Sequence, residues 1–303
     1  GYSGLQLSEI RLQRYFKSVC KWGSDCREWS PYRCKIRENI EKRKKGTIIM
    51  WNELFDKMEG MRGKVGFYYK NLVTDETVGF NEDELFRAAS IFKLPLLAAM
   101  LYEKVYNNVD FGEKIKISES DKIPGCGAVQ HMTGEPSIDI LTLAKLMITI
   151  SDNTAANVLA EYFGIEKMKG VFDKLGMKKT RLNRQLYDFE SESRGVMNVF
   201  TPKEMGELLE KIYKRTLINE ETSEFFEDIL LQQQINSKIP ARLPYDFKVA
   251  HKTGEEEETT HDVGIVYAKQ PFIVCFASND TDVPEFEDFM RDTSYRLFCM
   301  TEQ

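Results

Sequence analysis

The chain has 303 residues, 42% of them hydrophobic, and a formal net charge of −6. That length allows one large or two small domains with a real core. The apolar run Leu94 to Leu101 is far short of the roughly 20 residues a bilayer demands, and the N-terminus shows no apolar signal core.

The charge is uneven. Residues 1–49 hold 12 Lys/Arg against 5 Asp/Glu, whereas residues 50–303 hold 30 against 43. The basic segment is aromatic and ends in Glu41-Lys-Arg-Lys-Lys45 just before Met50. It reads as a solvated, poorly ordered leader, the alternative being an arm for nucleic acid or an anionic wall polymer. The expected organisation is a basic extension over 1–49, with Met50 a possible natural start, and one domain over 50–303.

From Trp51 to Met61 the pattern predicts an amphipathic helix. Lys64–Leu72 and Glu76–Phe80 predict a hairpin around Thr74-Asp75. A helix then begins close to Ser90, since Pro95 is tolerated only near a helix start. Lys122 to Ala128 is a loop. Ile138–Ile150 and Thr154–Phe163 are helices flanking a polar tripeptide, with Gly164 as a stop, and Lys167–Leu175 is a helix ended by Gly176. Residues 179–200 lack periodicity. Thr201-Pro202-Lys203-Glu204 reads as a helix start with a threonine cap and a closing glutamate, and helices follow through Tyr213 and over Glu221–Gln234. Phe247–Ala250, His261–Ala268 and Phe272–Ser278 read as strands, and a helix closes the chain from about Pro284 to Phe298. The expected class is α+β: an antiparallel sheet built from both ends (about 50–85 and 235–303) and flanked by helices, with a helical lobe (about 86–234) inserted between.

Three short motifs carry chemistry. In Ser90-Ile-Phe-Lys93, positions i and i+3 share a helix face, so the amine reaches the hydroxyl. A desolvated lysine loses its proton more readily and can then take one from the serine. Alone the pattern is weak: Ser18-Val-Cys-Lys21 repeats it, and a capping serine before a surface lysine also fits. Ser151-Asp-Asn153 lies between two apolar helices, where a capping turn would serve as well. His251-Lys252-Thr253-Gly254 follows a strand, and could simply be its terminal turn. Their order and spacing, 61 residues from Ser90 to Ser151 and 101 from Ser151 to Lys252, make three independent coincidences hard to accept.

With these motifs in this order the chain resembles the penicillin-recognising serine hydrolases, and among them the class A β-lactamase group. Gly66-Phe-Tyr-Tyr-Lys70, Ser151-Asp-Asn-Thr-Ala-Ala-Asn-Val-Leu159 and Thr259-Thr-His-Asp-Val-Gly-Ile-Val-Tyr267 extend the similarity from about Trp51 to the C-terminus. The resemblance implies an acyl-enzyme on Ser90, with Lys93 as proton partner and Ser151 as shuttle to the leaving nitrogen. Asn153 would bind the substrate's amide side chain, Lys252 and Thr253 its carboxylate on the strand that carries Gly254, and the backbone N–H groups of Ser90 and Glu255 the oxyanion. The 122–128 loop would rim the site.

Two departures stand out. Aligned on Thr180-Arg181-Leu182-x-Arg184, the glutamate that activates the deacylating water in class A enzymes is replaced by Leu186. Asp188 is the candidate substitute, with Glu190 behind it. Glu255 to Glu258 set four acids beside a carboxylate-binding strand, with Glu257 and Glu258 expected at a hairpin tip. The implied function is hydrolysis of β-lactam amides, slow for want of the glutamate. The alternatives are a D-alanyl-D-alanine carboxypeptidase or penicillin-binding protein of wall metabolism, or a non-turnover β-lactam sensor, which would ordinarily need a membrane link.

The expected partner is therefore a small β-lactam or D-alanyl peptide, with no nucleic acid and no membrane span, and the expected state is a monomer. No cofactor or metal is expected, because His131, His251 and His261 lack ligand spacing and the six cysteines show no zinc-ribbon or Cys-x-x-Cys pattern. Cys275, inside an apolar strand, reads as core filler. The resemblance implies work outside the cytoplasm.

Overall fold

The computed structural model describes Gly46 and residues 48–302; the expectations for residues 1–45 lie outside the described residues. Contacts divide the chain into two compact units. One holds helix α1 (48–60) with Thr74–Glu76, and the other holds Met61–Val73 with Thr77 onward. Along α1, Met50, Trp51, Leu54 and Met58 are buried at helical spacing, which makes it amphipathic as the sequence predicts.

In the larger unit, five strands form one antiparallel sheet: β1 (Lys64–Asn71), β2 (Thr77–Phe80), β7 (Val249–Glu256), β8 (Thr259–Val266) and β9 (Phe272–Asn279). Their order is β2-β1-β9-β8-β7, so strands from the two ends of the chain meet at the β1–β9 ladder and β7 is an edge. Two short pairs, β3 (Phe86–Arg87) with β6 (Val199–Phe200) and β4 (Lys114–Lys116) with β5 (Ser137–Asp139), lie outside it.

The helices are α2 (Lys93–Asn107), α3 (Ile140–Thr149), α4 (Asn153–Phe163), α5 (Ile165–Lys174), α6 (Phe189–Ser193), α7 (Pro202–Tyr213), α8 (Glu220–Leu230) and α9 (Val283–Thr301). Alternation along β1 gives the sheet two buried faces. Phe67 packs on Phe276, which meets Phe289 of α9, while Tyr68 on the other face presses against α7 at Gly206. Helix α2 is apolar all round from Leu94 to Leu101, and every one of these residues is buried. It is the axis of the helical lobe.

Two elements differ from what the sequence predicts. Thr201 does cap α7, accepting from the Glu204 N–H, but the Glu204 carboxylate does not return to close the box. It instead accepts from the backbone N–H groups of Lys178, Lys179 and Thr180, since three unpaired donors of an irregular segment outcompete one already beside a cap. Helix α8 ends at Leu230 rather than Gln234, and Gln233 turns inward to donate to the Ile148 carbonyl.

Candidate active site

Ser90 sits in a 3₁₀ turn over Ala89–Phe92, and Lys93 is the first residue of α2. The tight turn, entered through Ala89 at φ +40°, brings the Lys93 amine to 3.0 Å from Ser90 Oγ. Lys93 is fully buried, and its Nζ also meets Ser151 O (2.7 Å), Ser151 Oγ (3.1 Å) and Asn153 Oδ1 (2.8 Å).

Ser151 joins α3 to α4 in a left-handed conformation, φ +57°, which an L-residue holds only when its surroundings enforce it. They do. Buried Asp152 caps α4 through the Ala155 N–H and accepts from Ala128 N and Val129 N, pinning the 122–128 loop. Gly127 is obligatory, because a Cβ would lie 2.2 Å from the Asp152 carboxyl carbon. Asn153 donates from Nδ2 to Pro124 O and from its backbone to Cys126 O. The loop thus borders the site, with Cys126 exposed on it, while Cys275 is buried in β9.

Strand β7 supplies the other wall. Lys252, fully buried, donates to Ser151 Oγ at 3.0 Å and to Thr253 O at 2.7 Å. Gly254 lets the strand pass close to the nucleophile: a Cβ there would stand 3.1 Å from Ile91 Cγ1 and 3.3 Å from Ser90 N. Thr253 is buried in the same strand, and the half-exposed Glu255 takes an ion pair from Lys238 at 2.9 Å. Glu257 and Glu258 form the turn into β8, with Glu258 paired to Arg62.

Burial pushes the Lys93 amine far below the ordinary lysine value, and the charge of Lys252 pushes the same way. Burial also brings Lys252 down to about 7; Asp262 opposes that shift and Lys238 reinforces it. Ser90, Lys93, Ser151, Asn153 and Lys252 therefore form one hydrogen-bonded chain, with Gly254 against it.

Leu186 is fixed at both backbone atoms by buried Asn157, which accepts from its N–H at 2.8 Å and donates to its carbonyl at 2.9 Å. Leu186, Tyr187 and Asp188 border a cavity of about 220 Å³ with Asn157, Ile123 and Glu161. The Asp188 carboxylate caps α6, accepting from Ser191 N at 3.0 Å, and its contacts with Ser191 hold it below the usual carboxylate range. Glu190 pairs with Arg194 on the exposed face of α6. A larger cavity of about 550 Å³, between Leu231 and Val249, is lined by none of the motif residues.

Sequence reasoning missed Lys238, Asp262 and the Asn157 clamp. Only Asp262 left a mark, as an acid in an otherwise uncharged run of a strand.

A model of the beta-lactamase enzyme family matches residues 51–298. The chain belongs to that family. Beta-lactamase 3 of Bacillus cereus is 26% identical to this β-lactamase-family chain over 249 residues, 78% of it and 77% of the relative. The crystal structure of a beta-lactamase from Sphaerobacter thermophilus DSM 20745 is 25% identical, with a TM-score of 0.74 over 82% of this chain and 96% of that one. The structure of PBP-A, 24% identical, shares the fold with a TM-score of 0.75 over 82% and 94%. These neighbours share the β-lactamase/transpeptidase fold expected from the motifs. Among the described residues no helix is long and apolar enough to cross a membrane.

Proposed function

We propose that this family member is a serine hydrolase that opens β-lactam amides through an acyl-enzyme on Ser90, with slow release of the acyl group. The observation that carries this reading is the setting of Lys93. Four oxygens surround its amine, and two of them, Ser151 O and Asn153 Oδ1, can only accept. A neutral amine donates to those two and turns its lone pair toward a hydroxyl. Its burial favours that neutral form.

In the reaction the Ser90 oxygen attacks the lactam carbonyl and its proton passes to Lys93. The oxyanion faces the backbone N–H groups of Ser90 and Glu255, a pairing supported by the close approach of Gly254 to Ser90 N. As the C–N bond breaks, the leaving nitrogen takes a proton through Ser151 Oγ, which both lysines reach. Lys252 and Thr253 hold the substrate carboxylate, and Asn153 the side-chain amide.

Deacylation requires a base on water, and Leu186 offers none. Asp188 is committed to a helix cap and held ionised at low pH, which makes it a weak proton acceptor. That observation favours, as second reading, a penicillin-binding D-alanyl-D-alanine carboxypeptidase in which β-lactam acylation is nearly terminal. Peptide mapping after mixing with benzylpenicillin tests the common step. The adduct belongs on the peptide containing Ser90, and an adduct elsewhere, or none on folded protein, overturns the proposal.

A further inference from the structure

Tyr187 and Phe189 are aromatic residues that the fold leaves in water, 40% and 68% exposed. Their rings meet edge to face, with centroids 5.8 Å apart and planes at 88°. Such a pair keeps ring surface free to receive a further aromatic group.

The direction of the Tyr187 side chain is enforced. Its backbone is left-handed, φ +62°, an outlier for so bulky a residue. Both neighbours hold it there: Asn157 grips the Leu186 N–H and carbonyl, and the Asp188 carboxylate caps α6 through Ser191 N. Strain maintained in this way marks functional positions. The phenol points at the 122–128 loop. Gly125, φ +98°, leaves open a point 2.5 Å from Asn153 Nδ2 and 3.0 Å from the Tyr187 hydroxyl, where any other residue would place its Cβ. The phenol and the Asn153 amide therefore flank one small gap. Asn153 Nδ2 carries two protons; one goes to Pro124 O at 3.1 Å, and the other has no acceptor among the described residues.

We propose that Tyr187 is a specificity-determining residue: its ring, backed by Phe189, packs against an aromatic group on the acyl side chain of the substrate. This rests on the reading of Asn153 as the partner of the side-chain amide. An amide oxygen that accepts the second Nδ2 proton sits about 3 Å from that nitrogen. The group attached to that amide then extends along the rim where Tyr187 stands. An aryl group gains the edge or face of the phenol there, whereas a methyl group is too short to reach it. The substrate class selected is an amide with an aromatic acyl side chain, in preference to a small alkanoyl one.

The test uses two penicillins that differ only in the ring, benzylpenicillin and 6-acetamidopenicillanate. Second-order constants for Ser90 acylation are followed by intact mass in wild type, Tyr187→Asn and Tyr187→Phe. Asn tolerates the left-handed backbone, so the loop keeps its course. Tyr187→Asn should slow acylation by benzylpenicillin roughly three- to tenfold, the worth of one aromatic pair, and leave the acetamido compound within about twofold. Tyr187→Phe should keep the wild-type preference for the benzyl side chain. An equal fall for both penicillins, no fall for either, or loss of the preference in Tyr187→Phe overturns the proposal. Absence of a Ser90 adduct with both compounds in wild type instead overturns the underlying function. If Tyr187→Asn does not fold, Tyr187→Gly, which is at ease at positive φ, is judged by the same two constants.

Discussion

Lys93 and Lys252 converge on one atom, the Ser151 hydroxyl, at 3.1 and 3.0 Å, from opposite walls of the site. Two fully buried amines cannot both remain charged around one hydroxyl at low cost. Burial lowers both, and the charge of Lys252 lowers Lys93 further, an environment that suits the proposed pairing of a base with a cation.

Acylation should follow a bell-shaped pH profile. The rising limb reports Lys93 losing its proton, well below the ordinary lysine range. The falling limb reports Lys252 losing its charge near pH 7. Lys93→Ala should cost ~10²–10⁴-fold in acylation at pH 7, the usual worth of a positioned base. Stopped-flow rates with a chromogenic cephalosporin check both, and a profile flat from pH 5 to 9 contradicts the assignment.

Leu186→Glu should raise deacylation at least tenfold, because the Asn157 clamp grips only the backbone of residue 186 and leaves the loop in place for a new carboxylate. Asp188→Asn should leave deacylation unchanged, since its carboxylate serves the α6 cap. Decay of the acyl-enzyme mass with time distinguishes them. Faster loss of Asp188→Asn turnover than of acylation would assign Asp188 the base role after all.

Gly254→Ala should slow acylation by roughly 10–100-fold with a modest loss of stability, about 1–2 kcal/mol, because β7 must retreat a few tenths of an ångström from Ser90 N. Thermal melts and acylation rates on the same preparation check it. An unchanged rate would mean that the strand does not set the oxyanion geometry.

His261 should make the fold acid-sensitive. Its Nε2–H donates to Arg87 O at 2.8 Å and its Nδ1 accepts from Ser278 N–H at 3.1 Å, a neutral tautomer satisfied on both sides. Burial pushes it down to about 3. The unfolded chain therefore binds a proton below about 6.5 that the folded one refuses, and stability falls as pH drops from there toward 3. The stability gap between wild type and His261→Gln, from urea unfolding, should narrow by about 3 kcal/mol between pH 7 and 4. A constant gap contradicts the tautomer.

The elements were legible where local chemistry and packing agree. Pro95 marks the start of α2, and Thr201-Pro202 fixes the first turn of α7 to the residue. The β7–β8 hairpin turns at Glu257 and Glu258, and the two acids before them end β7 with exposed side chains. The strand pairs β3–β6 and β4–β5 are two or three residues long, too short to show a period, and depend on long-range pairing. The motif residues announced themselves by type and spacing. Lys238 did not, since a lone lysine before Ile239-Pro240 reads as surface until the sheet closes over it. Asn157, within an apolar helix, revealed its purpose only once Leu186 lay beside it.

The most direct measurement mixes the purified protein with a chromogenic cephalosporin and records the burst, the steady turnover and the intact mass together, with Ser90→Ala as control. The expected result is a burst of about one equivalent, a persistent adduct on the wild type, turnover limited by its decay, and none of these in the variant. An adduct or equal turnover in Ser90→Ala would contradict it.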